Sequence, residues 1–421
     1  MKRFALLLAA LAAQPASAET VAIVHARAWT MTADAPVENA TIIARDGRIV
    51  SVVAGGAAPA GAKVIDAAGR PVTPGLFKAA TQIGLTEVTA ARETNDQAVA
   101  TGPLGAAFDV EYSVNPNSTL VAQARADGVV EAMVYPGGSA GAPFSGRGAL
   151  LHLVEGEDIL DRPQAALFVA VGTATSGKVG GSRAAQWSLL RNALDEARLG
   201  AALDPRERLL NRLDRASITP VIERRVPLVI SADRESDIRQ AIGLAKEYNI
   251  RIVILGGAEA WRVAPLLAAR RIPVIVDPML NLPLNFDQLG SRLDNAALLA
   301  KAGVTVAFTV PGFGIHLSYN AGSALREGAG IAVANGLPYA DGLRAITLGG
   351  AQIWGDEDHH GSIAAGKLAD LVIWDGDPLE PASGPAIVLL GGKPVSLVTR
   401  QTELRDRYRP GRDDALPPAY R

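Results

Sequence analysis

The sequence predicts an α/β protein whose larger part is a (β/α)8 barrel of the TIM type. Eight short apolar segments, each typical of a buried strand, recur between residues 76 and 310, and amphipathic segments lie between several of them. β-rich patterns flank this region, and 421 residues suffice for a large barrel with an attached domain. The alternative is an open, doubly wound sheet, but no Gly-x-Gly-x-x-Gly pattern follows the first strand.

The composition excludes several classes of partner. Hydrophobic residues make up 48% of the chain and charged residues 20%, which is typical of a globular protein. The net charge is only −2 and aromatic residues make up 5%, so we expect neither nucleic acid nor an anionic membrane surface as partner. The absence of cysteine excludes disulfides and a lipid-attachment cysteine. We therefore expect a small-molecule ligand or a protein partner; the sequence does not indicate an oligomeric state.

The N-terminus has the features of a secretory signal. The chain begins with MKR, continues with an apolar run from Phe4 to Ala13, and reaches small residues at Ala16-Ser17-Ala18. The apolar run is far shorter than the ~20 residues that span a bilayer. We therefore expect residues 1–18 to be a signal peptide, no membrane anchor, and a mature protein in the periplasm or outside the cell.

Residues 19–73 are predicted to form a β-rich unit, because short apolar runs alternate there with turn signals such as Asp46-Gly47, which predicts a hairpin. The barrel follows the Pro74-Gly75 turn. Its strands are expected at Leu76–Ile83, Val129–Tyr135, Ala149–Val154, Ala165–Val171, Val226–Ser231, Ile250–Leu255, Ile272–Val276 and Val304–Val310. Helices are clearest at Glu235–Tyr248 and Glu259–Arg270.

Two segments depart from this alternation. Residues 87–127 form a long insert after the first strand, which is expected to lie over the C-terminal mouth of the barrel, where TIM-barrel active sites lie. Residues 401–421 are rich in Arg, Asp and Pro, and are expected to be an exposed, weakly ordered tail.

Two motifs resemble the amidohydrolase superfamily. Residues 361–378 read GSIAAGKLADLVIWDGDP, which is close to the family signature G-x-(I/L)-x-x-G-K-x-A-D-(L/I)-V-x-x-D-G-D-P. Residues 74–82 read PGLFKAATQ, in the register of the family pattern PG-(L/F)-I-D-x-H-x-H at the entry to the barrel. The resemblance implies a composite β-sandwich of residues 19–73 and 361–400 beside a barrel of residues 74–360.

Three shorter segments narrow the resemblance. Glu93–Asp96, Val114–Pro116 and Pro136–Gly138 resemble an exported subgroup related to imidazolonepropionase. This resemblance implies metal-dependent hydrolysis of a non-peptide C–N bond, in a cyclic amide or an imidazolone-like ring. In such a site zinc or a similar ion lowers the pKa of a bound water to about 7.

The positions at which the resemblance implies metal ligands carry other residues. Relatives use two histidines after strand 1, often a carboxylated lysine after strand 4, one histidine after each of strands 5 and 6, and an aspartate after strand 8. The corresponding residues here are Ala80 and Gln82, Ser231 and Asp233, Gly256 or Gly257, and Val310, and no lysine ends strand 4. We therefore predict no metal cofactor, assign no catalytic residue, and interpret the chain as a pseudoenzyme.

The five histidines do not replace these ligands. His359 and His360, next to Asp356–Asp358, are interpreted as a solvated turn, although such a cluster could bind a stray metal. His152 is interpreted as a structural histidine within a strand. Of the five, His316 alone is expected at the mouth, and one histidine does not make a zinc site.

The polar residues expected at the mouth are candidate substrate-binding residues: Gln82, Ser231, Asp233, Arg234, Glu259 and His316, with Asp277 and Asn320 nearby. Asp233 and Arg234 are expected to form an ion pair. A nucleophilic arrangement of Ser231, His316 and Asp233 is an alternative, but triads are identified by geometry. Two hypotheses follow. We favour a barrel that binds a small molecule or a protein partner without metal catalysis over an active hydrolase of non-peptide C–N bonds with an unusual site.

Overall fold

The computed structural model describes residues 19–88, 90–156, 158–310 and 319–409. It confirms an α/β fold with an eight-stranded, nearly closed barrel sheet and a separate β domain. Within these ranges, no helix combines the length and the apolar character needed to cross a membrane.

The strands follow one another along the chain as β1 (Thr20–Ala28), β2 (Val37–Arg45), β3 (Arg48–Ala54), β4 (Lys63–Asp66), β5 (Pro71–Pro74), β6 (Leu76–Thr81), β7 (Val129–Val134), β8 (Phe144–His152), β9 (Leu160–Ala170), β10 (Leu228–Ala232), β11 (Ile252–Gly256), β12 (Val274–Val276), β13 (Val306–Phe308), β14 (Leu371–Trp374), β15 (Pro385–Leu390) and β16 (Lys393–Pro394). The α-helices of the described residues are α1 (Thr119–Ala126), α2 (Thr173–Ser176), α3 (Arg183–Leu199), α4 (Arg212–Ile222), α5 (Glu235–Tyr248), α6 (Ala264–Arg270), α7 (Asn295–Lys301), α8 (Ala321–Ala334), α9 (Tyr339–Ala345), α10 (Leu348–Trp354) and α11 (Arg400–Tyr408).

The β domain draws strands from both ends of the chain. Its sheet has the order β16-β15-β14-β5-β1-β2-β3, with β4 paired to β1. β14 pairs antiparallel with β5, so that Leu371 lies opposite Pro74 and Ile373 opposite Val72. A separate apolar core, which includes Ile42 and Leu371, lies in this domain. The late segment that carries β14 therefore completes a sheet begun near the start of the chain.

The barrel sheet has the order β6-β7-β8-β9-β10-β11-β12-β13. The Thr309 hydroxyl, directly after β13, donates a hydrogen bond of 2.7 Å to the carbonyl oxygen of Ala80 in β6 and so links the two ends of the sheet. We call the C-terminal ends of the parallel strands the mouth of the barrel, and the opposite end its base.

The predicted strict (β/α)8 alternation is wrong at one point. β8 runs antiparallel to both β7 and β9, and among the described residues no helix separates these three strands. The other barrel pairs, from β6–β7 to β12–β13, are parallel. The apolar run at residues 149–154 identified a buried strand, but a run of buried residues carries no information about strand direction.

Apolar side chains fill the inside of the barrel. Alternate residues of every barrel strand contribute to one buried cluster, for example Phe77, Met133, Leu150, Phe168, Val229, Val253, Ile275 and Ala307. α10 closes the base, because Trp354 packs into this cluster and its Nε1 donates to the carbonyl oxygen of Ala79 at 3.0 Å.

Residues 87–127, which were predicted to cover the mouth, contact the ends of strands there. The amide of Asn115 donates to the carbonyl oxygen of Gly84, after β6, at 2.9 Å. The carboxylate of Asp109 pairs with Arg147, near the start of β8, at 2.9 Å. Because β8 is reversed, its start lies at the mouth.

The predicted tail at residues 401–421 needs a correction over its first part. α11 occupies Arg400–Tyr408, with Thr399 as a capping-box residue, because its hydroxyl accepts from the amide of Thr402 at 3.3 Å. No residue of this helix is buried. Residues 410–421 lie outside the described ranges.

Trp374 fastens the β domain to the barrel. It is fully buried, its Nε1 donates to the Thr73 hydroxyl at 2.9 Å, and the Arg326 guanidinium lies 5.0 Å from its ring centre. We expect Trp374→Ala to lower the free energy of unfolding by about 3–5 kcal/mol, as for other buried aromatic residues. Urea unfolding followed by far-UV circular dichroism measures this.

Val64→Ala is the matched control, because Val64 is 53% exposed in the same sheet. We expect this variant to change the free energy of unfolding by less than about 0.5 kcal/mol. Equal destabilisation by the two substitutions would contradict the anchoring role of Trp374.

Candidate functional site

The described candidate residues lie at the mouth. Gln82 directly follows β6, Ser231 is the penultimate residue of β10, Asp233 and Arg234 follow β10, and Glu259 follows β11. His316 lies outside the described residues, so the Ser231–His316–Asp233 arrangement stays a prediction.

The first two ligand positions of the resemblance offer no strong metal donor. Ala80 is fully buried and has no polar side-chain atom. The Gln82 side chain is 8% exposed, and its amide nitrogen lies so close to Gly137 that a Cβ on that glycine would come within 3.1 Å of it. Gln82 therefore packs against the turn that follows β7. At the far end of the barrel sheet, Val310 is buried and apolar.

Asp233 is committed to contacts within the protein. Its Oδ2 accepts from Nε2 of Gln288 at 2.8 Å, and its Oδ1 accepts from the amide of Ala258 at 3.2 Å. An added Cβ on Gly256 would lie 2.6 Å from Oδ1, so glycine at this position makes room for the carboxylate. Burial raises the pKa of Asp233, and the hydrogen bond from Gln288 opposes that shift.

The expected Asp233–Arg234 ion pair is wrong. No ion pair between them occurs in the described part of the chain, and Arg234 is exposed at the N-terminal end of α5. Consecutive residues at a strand end point in different directions, so Asp233 turns towards the neighbouring loop while Arg234 turns towards solvent. Neutral amide donors, not a cation, compensate the buried carboxylate.

Glu259 has a similar structural role. Its Oε2 accepts from the amide of Glu235 at 2.9 Å, and its Oε1 accepts from the amide of Gly290 at 3.1 Å. These bonds connect the ends of β10 and β11 with the loop after β12. A Cβ on Gly290 would come within 2.7 Å of Oε1, so this close approach depends on glycine.

A second network fastens the same loop. Asp287 accepts from the amide of Thr173 at 2.7 Å and pairs with Arg183 of α3. Arg183 also contacts Asp237 of α5 at 3.1 Å. Together with Asp233 and Glu259, these residues hold the loop after β12 against the loops after β9 and β10. The carboxylates of this side of the mouth thus serve to position loops.

Lys78 is a buried polar residue that was not among the predicted site residues. This lysine is fully buried in β6, two residues before Ala80 and at the aspartate position of the family pattern. Burial lowers the pKa of Lys78 to about 7, and the attraction of Asp277, directly after β12, opposes that shift. Its signal was a charged residue inside an apolar run, which is rare in a buried strand.

The residues that could share a metal ion lie elsewhere. In the described part of the chain, the ligand atoms of Glu131, His152 and His360 lie within 4.8 Å of one another. Glu131 and His152 face each other across β7 and β8, two residues from Met133 and Leu150 of the barrel interior. This places the cluster at the base, opposite to the mouth.

The interpretation of His360 therefore needs correction. His360 is not part of a solvated turn, because it is 7% exposed and its Nε2 lies 3.0 Å from a Glu131 oxygen. His152, which was interpreted as a structural histidine, has a charged neighbour, because its Nε2 lies 2.8 Å from a carboxylate oxygen of Asp370. Because this cluster could hold a metal ion, the structure does not clearly support the prediction of no metal cofactor. His359, by contrast, is more than half exposed.

Opposing effects set the pKa values at the base. Burial raises the pKa of Glu131 to about 7. Burial acts to lower the pKa of His360, but hydrogen bonds to Asp370 and Glu131 raise it to about 10. For Asp370, burial acts upwards and the hydrogen bond from His152 lowers the pKa below its usual range. The charges of this cluster are thus strongly interdependent.

Comparisons with solved structures show the fold. An amidohydrolase from Thermotoga maritima MSB8 is 25% identical, with a TM-score of 0.80, over 89% of this chain and 99% of that chain. A zinc-bound adenosine deaminase from Xanthomonas campestris is 18% identical, with a TM-score of 0.52, over 89% and 92%. Phenylurea hydrolase B is 16% identical, with a TM-score of 0.51, over 90% and 97%.

No curated protein sequence matches the chain. Residues 217–400 match the Amidohydrolase family, over a part of the chain that runs from α4 to the start of α11. The neighbouring structures include hydrolases that act on C–N bonds. Residues 217–400 are thus similar in sequence to the Amidohydrolase family, and the fold is similar to that of an amidohydrolase of known structure.

Proposed function

We propose that this protein is an exported amidohydrolase-like barrel that binds a small molecule or a protein partner at its mouth without metal-dependent catalysis. The observation that carries the proposal is that the positions at which the resemblance implies metal ligands offer few free donor atoms. Ala80 and Val310 have no donor atom, Gly256 offers only its backbone, and each oxygen of Asp233 already accepts a hydrogen bond, from Gln288 and from the amide of Ala258.

A divalent metal does not fit these residues. A zinc site needs at least three strong protein ligands, and Gln82 and Ser231 are weak neutral ones. Glu259, the remaining carboxylate among the candidates, already accepts one amide hydrogen bond on each oxygen. The amine of Lys78, near Asp277, is buried in this part of the barrel, where the resemblance implies a metal ion.

The alternative is an active hydrolase of non-peptide C–N bonds, on a cyclic amide or an imidazolone-like substrate. Two observations favour it: the neighbouring structures of C–N hydrolases, and a pKa of Lys78 near neutrality, which suits a general base. The imidazolonepropionase-related subgroup and export rest on the sequence motifs alone. We favour binding because the positions at which the resemblance implies a metal do not offer three strong ligands.

A ligand screen with thermal unfolding tests the binding function. We expect a polar small molecule to raise the melting temperature of the mature protein, since a ligand that binds only the folded state stabilises it. Gln82→Ala and Ser231→Ala should reduce the shift at least severalfold. Gln240→Ala is the control, because Gln240 is exposed on α5.

Hydrolysis assays separate the two functions. We expect no turnover of cyclic amides or imidazolones, with or without added zinc, manganese or iron. Turnover that is lost in Asp233→Asn and in the presence of a chelator would show that the mouth holds a catalytic metal and would overturn the proposal.

Lys78 predicts a specific pH dependence of stability. The unfolded chain holds the Lys78 proton up to pH about 10.5, whereas the folded chain releases it near pH 7. Between these values the unfolded state binds more protons, so the free energy of unfolding rises with pH, by up to about 1.4 kcal/mol per pH unit. We expect Lys78→Met to remove this contribution.

Urea unfolding of wild type and Lys78→Met between pH 7.5 and 9.5 measures the difference in slope. The exposed Lys301 provides a control, because Lys301→Met removes the same charge without a buried environment. Identical slopes for wild type and Lys78→Met would show that Lys78 keeps its proton in the folded protein.

A further inference from the structure

We propose that Glu131, His152, His360 and Asp356 form a structural zinc site at the base of the barrel, which fastens the barrel to the β domain. The proposal is independent of the proposed function, because the base lies at the opposite end of the barrel from the mouth. It concerns a metal that holds the fold together and takes no part in a reaction.

The ligands come from both parts of the molecule. Glu131 of β7 and His152 of β8 are directly opposed cross-strand partners inside the barrel wall. His360 and Asp356 belong to the segment between α10 and β14, which leads the chain from the barrel into the β domain. An ion bound by all four would therefore cross-link two strands of the barrel to the last connection of the chain.

Unsatisfied polar atoms concentrate at this point. Glu131 is fully buried, and neither of its carboxylate oxygens accepts an aligned hydrogen bond, although Nε2 of His360 lies 3.0 Å from Oε1. Oδ2 of Asp356 and Nδ1 of His360 are likewise buried without an aligned hydrogen bond. Such a group destabilises the folded state if it stays uncompensated, and more so when it is charged. A divalent cation would compensate the carboxylate oxygens at once.

The distances match a small cation with imidazole and carboxylate ligands. Nε2 of His360 lies 3.0 Å from Oε1 of Glu131 and 3.6 Å from Oδ2 of Asp356. Ligand atoms at about 2.0–2.1 Å from one zinc ion in a tetrahedron are roughly 3.4 Å apart, between these two values. A ligand atom of His152 lies within 4.8 Å of those of Glu131 and His360, so His152 would have to move closer to complete the site.

The outer contacts are those of metal-bound histidines and carboxylates. Oδ2 of Asp370 lies 3.3 Å from Nδ1 of His360, so it would hold the ring nitrogen that faces away from Glu131. Oδ1 of Asp356 contacts Nη2 of Arg162 at 3.4 Å, which leaves Oδ2 for the ion. Such carboxylate and guanidinium partners orient the residues that bind a metal directly, and they stabilise the charge of those residues.

An entry path is also present. A cleft of about 570 Å³ lies between the β domain and the barrel, and His152 is one of its lining residues, together with Glu155 and Lys393. The cluster is thus reached from solvent along one side. Two imidazoles with carboxylate oxygens suit zinc better than magnesium or calcium, which prefer oxygen alone.

Metal analysis of the wild-type protein tests the proposal first. We expect the mature protein, purified without a chelator, to contain about one zinc per chain. A chelator should remove the zinc and lower the melting temperature, and added zinc should restore both. X-ray absorption should show nitrogen and oxygen neighbours, including imidazole rings. A wild-type protein that lacks metal and whose melting temperature is unaffected by zinc would overturn the proposal.

Two neighbouring histidines give a matched pair of variants. His360→Asn should lower the affinity for zinc by more than the roughly tenfold loss that follows removal of a residue that only contacts a ligand. His359→Asn should retain it, because the His359 ring is 56% exposed and contacts only the outward oxygen of Asp356. Equal zinc content in both would overturn the proposal, and the wild-type measurements decide the question if His360→Asn does not fold.

One further variant separates this site from the mouth. Asp233→Asn should keep its zinc, because Asp233 lies at the other end of the barrel. Loss of zinc from Asp233→Asn, with retention in His360→Asn, would place the metal at the mouth and would contradict both proposals. Loss from His360→Asn alone supports the base site and leaves the proposed function to its own test.

Discussion

The compensation of buried charge is the constraint on which both ends of the barrel depend. At the mouth, amide hydrogen bonds satisfy Asp233 and Glu259, and Arg183 pairs with Asp287. At the base, two histidines face carboxylates in a space that is closed to water on most sides. Charged groups removed from water must find such partners, because unpaired burial costs several kcal/mol. The two ends solve the same problem differently: the mouth uses the backbone of loops, and the base uses titratable side chains.

This difference has a consequence for rigidity. The loop after β12 is held by Gln288, Asp287 and the amide of Gly290, each to a different neighbouring strand end. A surface fixed at several points is preorganised, and it loses little conformational freedom when a ligand binds. The proposed binding function would benefit from this rigidity of the mouth.

The sequence predicted the fold well and the site only in part. The spacing of apolar residues and the turn signals predicted all eight barrel strands and the bounds of α5, because these features depend on local sequence patterns. The direction of β8 and the burial of His360 could not be found, because both depend on partners distant in sequence: β9 for the strand, and Glu131 for the histidine. The sequence shows that Ala80, Gln82 and Val310 occupy positions at which the resemblance implies metal ligands. The network of hydrogen bonds around Asp233 and Glu259 could not be predicted from the sequence.

Because β8 is reversed, the residues that end the barrel strands do not all lie at the same end of the barrel. In a barrel with parallel strands only, the residues that follow each strand all meet at one end. Here seven strands follow that rule, and β8 delivers its last residue, His152, to the opposite end. A mutant library built on the residues after every strand would therefore sample two separate surfaces. The residue at the end of β8 therefore lies at the base of the barrel, although the residues at the ends of the other strands lie at the mouth.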